Sequence, residues 1–212
     1  MPARASPRLT DSTHYMLIDL HCHTRVHSGC SVLTPETLVE AARAAGLDGV
    51  CITEHDALWP AEEIDRVARD LDFVVLRGVE VSTDAGHVLA YGLSRHEAGL
   101  SALPYLHEVA RREGALLFLS HPSRRHKLLP QGMGLADIFD SLEIINGTQS
   151  EPQNRSAARL AASLRLPGIG GSDAHAVSEV GACATRFERE VRTEEDLLRE
   201  LRAGRYQAVA LR

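Results

Sequence analysis

Short apolar stretches alternate with amphipathic segments along the chain, and polar residues follow almost every apolar stretch. Residues 16–18 lead into His21 and His23, and residues 50–52 lead into His55. This alternation predicts strands joined by helices, as in a parallel sheet or a barrel. Polar residues at the carboxyl ends of many strands favour a barrel, because an open sheet concentrates them at one crossover point. We therefore expect an α/β fold of about seven strand units, a smaller relative of the (β/α)8 barrel.

Composition and charge exclude several classes of protein. The formal net charge of -6 argues against extended binding to nucleic acid. Four scattered cysteines without a Cys-x-x-Cys pair argue against a zinc ribbon, a redox motif or a disulfide-stapled secreted domain. Residues 1–14 lack the apolar core of a signal peptide, so we expect a flexible leader and then a single domain over residues 15–212. No apolar run is long enough to span a membrane, which favours a cytoplasmic protein.

The His-x-His motif at the end of the first predicted strand is the first half of a candidate metal site. His21 and His23 share a face, because alternate side chains of a strand point the same way. Taken alone, the motif is more often one core and one surface histidine. Asp173 and His175 repeat the spacing, however, and other strand ends add nitrogen and oxygen ligands without sulfur. The residues expected to converge on a site for zinc, manganese or iron are His21, His23, His55, Glu80, His87, His121, Asp173 and His175.

Six short motifs follow one another in an order that is typical of a known family. They are HCHT at 21–24, ITEHD at 52–56, GVE at 78–80, HVLAYG at 87–92, SHP at 120–122 and SDAH at 172–175. Over about residues 17–183 the chain resembles the PHP (polymerase and histidinol phosphatase) domain. The resemblance implies a distorted (β/α)7 TIM-like barrel, two or three divalent metal ions and hydrolysis of phosphate esters.

The resemblance also assigns ligands to metal positions. It implies a first metal held by His21, His23, Glu80 and Asp173. It implies a second metal held by Glu80, His87 and His121. Glu80 would bridge the two, and the residues expected to carry catalysis are Glu80, Asp173 and His121.

A third metal would be held by His55 and His175, and here the chain departs from the family pattern. Family members usually add an aspartate or histidine from the loop after the first motif. His27 and Cys30 are the candidates, although their spacing from His23 does not match. We favour His27 and expect a third site that is weak or open.

Several charged residues near the ligands are candidates for supporting roles. Asp19, Glu54 and Asp56 are neighbours of ligands and could orient histidines, with solvation an equally good interpretation. The residues that could bind a substrate phosphate are Arg124, Arg125, His126 and Arg25. A solvated basic loop explains the first three equally well.

The predicted function is that of a metal-dependent phosphoesterase that hydrolyses a small phosphomonoester or nucleotide through a metal-bridging hydroxide. One alternative is a phosphodiesterase or exonuclease that acts on short oligonucleotides. Another is a non-catalytic, metal-binding regulatory module of the same fold. A small phosphorylated substrate is the expected partner, no membrane partner is expected, and the sequence does not indicate an oligomeric state.

Overall fold

A computed structural model describes residues 15–123 and 134–212. The strands within these ranges are β1 Met16–Cys22, β2 Gly49–His55, β3 Val74–Thr83, β4 Gly86–Tyr91, β5 Leu116–Leu119, β6 Ser141–Asn146, β7 Gly168–Gly171, β8 Cys183–Phe187 and β9 Tyr206–Ala210. The helices are α1 Pro35–Ala44, α2 Ala61–Asp70, α3 Leu103–Glu113, α4 Leu135–Ile138, α5 Glu151–Leu164 and α6 Glu194–Arg202. The leader predicted over residues 1–14 lies outside the described ranges.

One mixed sheet contains the nine strands in the order β7-β6-β5-β4-β3-β2-β1-β8-β9. Strands β1, β2 and β3 are parallel, as are β5, β6 and β7. Strand β4 runs antiparallel between the two sets, and β8 and β9 form an antiparallel extension beside β1. The antiparallel strands distort the barrel. From the sequence, residues 87–91 are expected to be an antiparallel strand or an edge extension, and the structure shows the former; β8 is not predicted.

The sheet nearly closes on itself where β7 meets β1. The backbone nitrogen of Asp173 donates to the carbonyl of His21 at 2.7 Å, and that of His23 donates to the carbonyl of Ala174 at 3.1 Å. Cys22 and Ala174 form a parallel bridge at the same place. The α/β, TIM-like barrel expected from the sequence is therefore confirmed, with its carboxyl-terminal strand ends gathered on one face.

Helices cover the outside of the barrel, and local sequence signals begin them. The side chain of Thr34 accepts from the backbone nitrogen of Thr37, and Pro35 follows at the first helical position of α1. Apolar residues of β1, β4 and β5 form an inner cluster, which includes Ile18, Leu89 and Phe118. Within the described part of the chain, no helix has both the length and the apolar composition that a bilayer crossing requires.

We predict that adding a methyl group at Gly171 opens the junction of β7 with β1. A Cβ at Gly171 would lie 2.4 Å from the Cβ of His21 and 2.9 Å from its backbone nitrogen. Gly171→Ala should therefore lower the free energy of unfolding by ~1–3 kcal/mol, measured by urea denaturation. Gly29→Ala is the matched control, because nothing lies within 4 Å of a Cβ built there. A G171A variant as stable as G29A would contradict this tight junction.

Candidate metal centre

An irregularity in β1 aims the two histidines of the first motif into the barrel. Leu17 and Cys22 both pack in the cluster beneath α1, although a regular strand would place them on opposite faces. The register between β1 and β2 explains this. Asp19 pairs with Val50 and Cys22 pairs with Ile52, so an advance of three residues along β1 corresponds to only two residues along β2. One extra residue in β1 inverts the alternation. His21 and His23 therefore point inward, opposite to Cys22.

Four donor atoms surround a common point at the barrel mouth. The Nε2 atoms of His21 and His23 lie 3.1 Å apart. Oε2 of Glu80 lies 3.3 and 3.4 Å from these nitrogens, and Oδ1 of Asp173 lies 3.5 and 3.4 Å from them. Ligands of a tetrahedral zinc ion with bonds of ~2.0–2.1 Å would be separated by ~3.4 Å. The arrangement thus fits one divalent ion, and the four residues are those that the family resemblance assigns to the first metal.

Glu80 faces two sets of histidines with its two oxygens. Oε1 lies 3.0 Å from Nδ1 of His87 and 3.0 Å from Nε2 of His121. Oε2 lies 3.0 Å from Nδ1 of His55, but it is buried and accepts no well-directed hydrogen bond from the described residues. A buried carboxylate oxygen without such a bond costs ~1–3 kcal/mol, which a bound cation would offset. Glu80 thus presents one oxygen to each set of histidines, which is the placement that the family resemblance implies for a bridging ligand.

The histidines expected for a third metal lie together but do not converge as the first four ligands do. The ring of His23 stacks against those of His55 and His175, with centroid distances of 4.3 and 4.4 Å, and the latter two rings are 5.8 Å apart. One nitrogen from each of these rings lies within 4.8 Å of the others. His23 also belongs to the first position. A third ion would thus depend mainly on His55 and His175.

The loop after β1 does not bring either expected ligand to this third position. His27 is exposed, and its ring meets the edge of Trp59 with a centroid distance of 5.1 Å. Cys30 is also exposed, and neither residue joins a group of ligand atoms within the described ranges. Ser28 turns inward instead, donating to Glu54 at 2.5 Å and accepting from the backbone nitrogen of His55 at 3.0 Å. Ser28, and neither of the two expected ligands, is therefore the residue of this loop that turns toward Glu54 and His55.

Glu54 and Asp19 are buried beside the ligands. Glu54 accepts from the hydroxyl and backbone nitrogen of Thr24, from Ser28 and from Nε1 of Trp59. Oδ1 of Asp19 accepts from the backbone nitrogens of His21 at 3.2 Å and Ser172 at 2.8 Å. Burial raises the pKa of Asp19 to about 6. Both carboxyls hold the backbone of ligand-bearing segments.

Asp56 has a different position from the other two acids. It accepts from the backbone nitrogen of Ser82 at 2.7 Å and is exposed. This hydrogen bond holds the end of β3 in place and does not involve a histidine ring.

Glu143 is a site residue that the sequence reasoning missed. It lies on β6, is 1% exposed, and its Oε1 is 2.8 Å from Nδ1 of His21. Its Oε2 accepts from the backbone nitrogen of His121 at 2.8 Å and from Nδ2 of Asn146 at 2.9 Å. The available signal was a glutamate within the apolar run 142–145, since a buried carboxylate requires partners.

Two ligands have an uncommon backbone conformation. The φ angle is 30° at His121 and 54° at Asp173, in the left-handed region that L residues rarely adopt. Local hydrogen bonds hold Asp173, since its Oδ2 accepts from the hydroxyl of Thr148 at 3.0 Å and from Asn146 at 3.3 Å. Such strain concentrates where side chains are held for function.

Burial and charge act against each other in the cluster. Burial opposes protonation of His21, yet Glu143, Glu80 and Asp173 raise its pKa well above the usual value. Burial lowers the pKa of His23 to about 4. Burial would raise the pKa of Glu80, but His21 and His121 hold it well below the usual range. The cluster thus combines anionic oxygens with histidine nitrogens, the donor set that suits zinc, manganese or iron.

Of the residues expected to bind substrate, the structure describes only Arg25. Arg25 is exposed on the loop that follows His23 and Thr24. Arg124, Arg125 and His126 lie outside the described residues.

Comparisons with known proteins agree with this geometry. The 5'-3' exoribonuclease Rnm of Escherichia coli is 40% identical over 79 residues, which are 35% of this chain and 26% of that protein. The 3',5'-nucleoside bisphosphate phosphatase of Chromobacterium violaceum is 33% identical over 89 residues, which are 40% of this chain and 30% of that protein. The chain therefore matches less than a third of the length of either relative.

The structural comparison and the family models cover more of the chain than these two relatives do. PsfC from Pseudomonas syringae superposes with a TM-score of 0.70 at 22% identity, covering 92% of this chain and 91% of that one. At this identity the likeness shows the fold alone. The PHP-associated family matches residues 151–206, and the PHP domain family matches residues 19–165. Since that match takes in more than half of the chain, the protein belongs to the PHP domain family.

Proposed function

We propose that the chain is a metal-dependent phosphoesterase that hydrolyses a small phosphomonoester or a nucleotide. The observation that carries the proposal is the placement of Glu80, which presents one buried oxygen to His21 and His23 and the other to His87 and His121. Membership of the PHP domain family supports it. A carboxylate between two sets of histidines is suited to holding a pair of cations.

The ligand set fits two divalent ions, with a third position that has fewer donors. We propose that the first ion is held by His21, His23, Glu80 and Asp173. We propose that the second is held by Glu80, His87 and His121. Divalent ions in such a centre activate water and neutralise the charge that develops on a phosphoryl group.

The chain's own residues would have two further roles, which are to hold the metal centre rigid and to admit the substrate. Glu80 and His21 are fully buried and would keep the centre rigid. The side chains of His55 and His87 are 29% and 37% exposed, so substrate would enter on their side. Arg25 is exposed on the loop that follows β1 and is our candidate for contacting a phosphate oxygen. Asp173 and His121 remain predicted catalytic residues through the ions they would hold.

A small substrate is favoured by charge. The net charge of -6 disfavours long contacts with a polyanion. The phosphatase relative from Chromobacterium violaceum has a nucleoside bisphosphate in its name, which supports a nucleotide. The Escherichia coli relative is named an exoribonuclease, so trimming of short oligonucleotides is the second candidate function.

We predict that a ligand change abolishes phosphomonoester hydrolysis. His121→Ala and Asp173→Ala should each lower kcat/KM for p-nitrophenyl phosphate with Mn2+ by ~100-fold or more, since changes beside a metal ligand already cost ~10–100-fold. Glu200→Gln is the control, because Glu200 is buried but bonds to Arg199 and Arg205, away from the cluster.

The same assay separates the two candidate functions. Hydrolysis of bis-p-nitrophenyl phosphate and short RNA without hydrolysis of monoesters would replace our first choice by the second. Full activity of both alanine variants would refute the proposed site.

We predict that replacing the proposed bridging carboxylate of Glu80 lowers the number of metal ions bound per chain. Two or three ions per chain are expected in the wild type by elemental analysis after equilibration with Mn2+ or Zn2+. Glu80→Gln should lose at least one, because an amide nitrogen replaces one of the two oxygens that face the histidines. The E200Q variant should retain the wild-type content. An E80Q variant with the full complement would show that Glu80 is not a bridge.

A further inference from the structure

We infer that Glu143 is a positioning residue that sets the tautomer of His21 and the backbone of His121, so that one carboxylate orients ligands of both metal positions. The inference rests on the proposed metal centre and adds a residue that the resemblance does not assign. Glu143 contacts no ion position itself, because its two oxygens are engaged by His21 on one side and by three donors on the other.

The first oxygen of Glu143 determines which nitrogen of His21 is available. Both side chains are 0% exposed, and Oε1 lies 2.8 Å from Nδ1 of His21. An ionised carboxylate only accepts hydrogen bonds, so Nδ1 carries the proton in the neutral ring. The lone pair then lies on Nε2, the atom that is 3.1 Å from Nε2 of His23 and 3.3 Å from Glu80. A neutral histidine with this tautomer is the one that can bind an ion at the cluster.

The second oxygen of Glu143 acts on the other metal position. It accepts from the backbone nitrogen of His121 at 2.8 Å, in a residue whose φ angle is 30°. It also accepts from Asn146 at 2.9 Å, and the hydroxyl of Ser120 lies 3.2 Å away, with its single hydrogen shared between this oxygen and Oε1 of Glu80 at 3.0 Å. These bonds hold a backbone conformation that places Nε2 of His121 3.0 Å from Oε1 of Glu80. The carboxylate therefore couples the geometry of the two positions.

A glycine gives Glu143 its access to His21. Glu143 pairs with Ile169 of β7, and His21 lies on β1 beyond Gly171. A Cβ on Gly171 would lie 3.1 Å from Oε1 of Glu143 and 2.4 Å from the Cβ of His21. The absence of a side chain at Gly171 leaves room for the contact between strands β6 and β1.

Glutamine cannot reproduce both sides of this arrangement. Its single oxygen can face either the three donors at Oε2 or the ring of His21, and its NH2 group must face the other. With the oxygen on the side of His121, Ser120 and Asn146, the NH2 group donates to Nδ1 of His21. The proton of His21 then moves to Nε2, where it blocks an ion.

Glu143→Gln in the full chain therefore tests the inference by a spectroscopic signature. In the zinc-loaded wild type, 15N NMR of the histidine rings should show His21 protonated on Nδ1. In E143Q the lone pair of His21 should move to Nδ1, and the affinity for Zn2+, measured by chelator competition, should fall ~10–100-fold. Because the tautomer is read directly, general destabilisation does not mimic the expected result.

Glu54→Gln is the matched control. Glu54 is an equally buried carboxylate beside the cluster that also accepts from a backbone nitrogen and side-chain donors, but among the described residues no histidine ring donates to it. E54Q should keep the proton of His21 on Nδ1. An E143Q variant with the wild-type tautomer and Zn2+ affinity would refute the inference, and so would a tautomer change in E54Q equal to that in E143Q.

The wild type supplies an independent measurement should E143Q fail to fold. A ring of His21 without a proton on Nδ1 in the zinc-loaded wild type would overturn the inference by itself. A wild type that binds no Zn2+ or Mn2+ would instead refute the proposed metal centre. The failure of the inference and the failure of the proposed function are thus distinguishable.

Discussion

The site depends on the junction of the first and seventh strands of the barrel. Two backbone hydrogen bonds, from Asp173 to His21 and from His23 to Ala174, bring residues more than 140 positions apart into one set of candidate ligands. The junction is tight because Gly171 has no side chain and Asp19 accepts from the nitrogens of both His21 and Ser172. Without it, Asp173 would follow the edge strand β7, while His21 and His23 would be on and after β1 in the interior of the sheet.

Local departures from regular structure then orient the ligands. The extra residue in β1 turns His21 and His23 inward, and left-handed backbone positions His121 and Asp173. These features cost free energy, since residues in sparsely populated backbone regions cost ~1–3 kcal/mol each. Packing and buried hydrogen bonds around them offset that cost. His121 and Asp173, two of the residues in this backbone region, lie at the mouth of the barrel among the candidate ligands.

Buried charge gives the site its chemistry. Glu54, Glu80 and Glu143 are carboxylates with almost no exposure, and burial of an unpaired charge is strongly unfavourable. Glu54 and Glu143 are satisfied by hydroxyls, backbone nitrogens and ring nitrogens. Glu80 Oε2 lacks a well-directed partner among the described residues, which is the feature that a cation would complete. The electrostatic design therefore agrees with the family and with the role that we propose.

Strand-end histidines, their spacing of two and the order of six motifs were enough to predict the α/β barrel and the family from the sequence. They also indicated which residues gather at the mouth, because the ends of barrel strands share one face. Sequence patterns could not show that His27 turns to Trp59 or that Ser28 occupies the inward position, since the loop's path is decided by contacts with Glu54 and His55. They also could not show the partner of Glu143. Its contact with His21 joins residues 122 positions apart across a strand that ends in glycine, and only the tertiary structure creates that proximity.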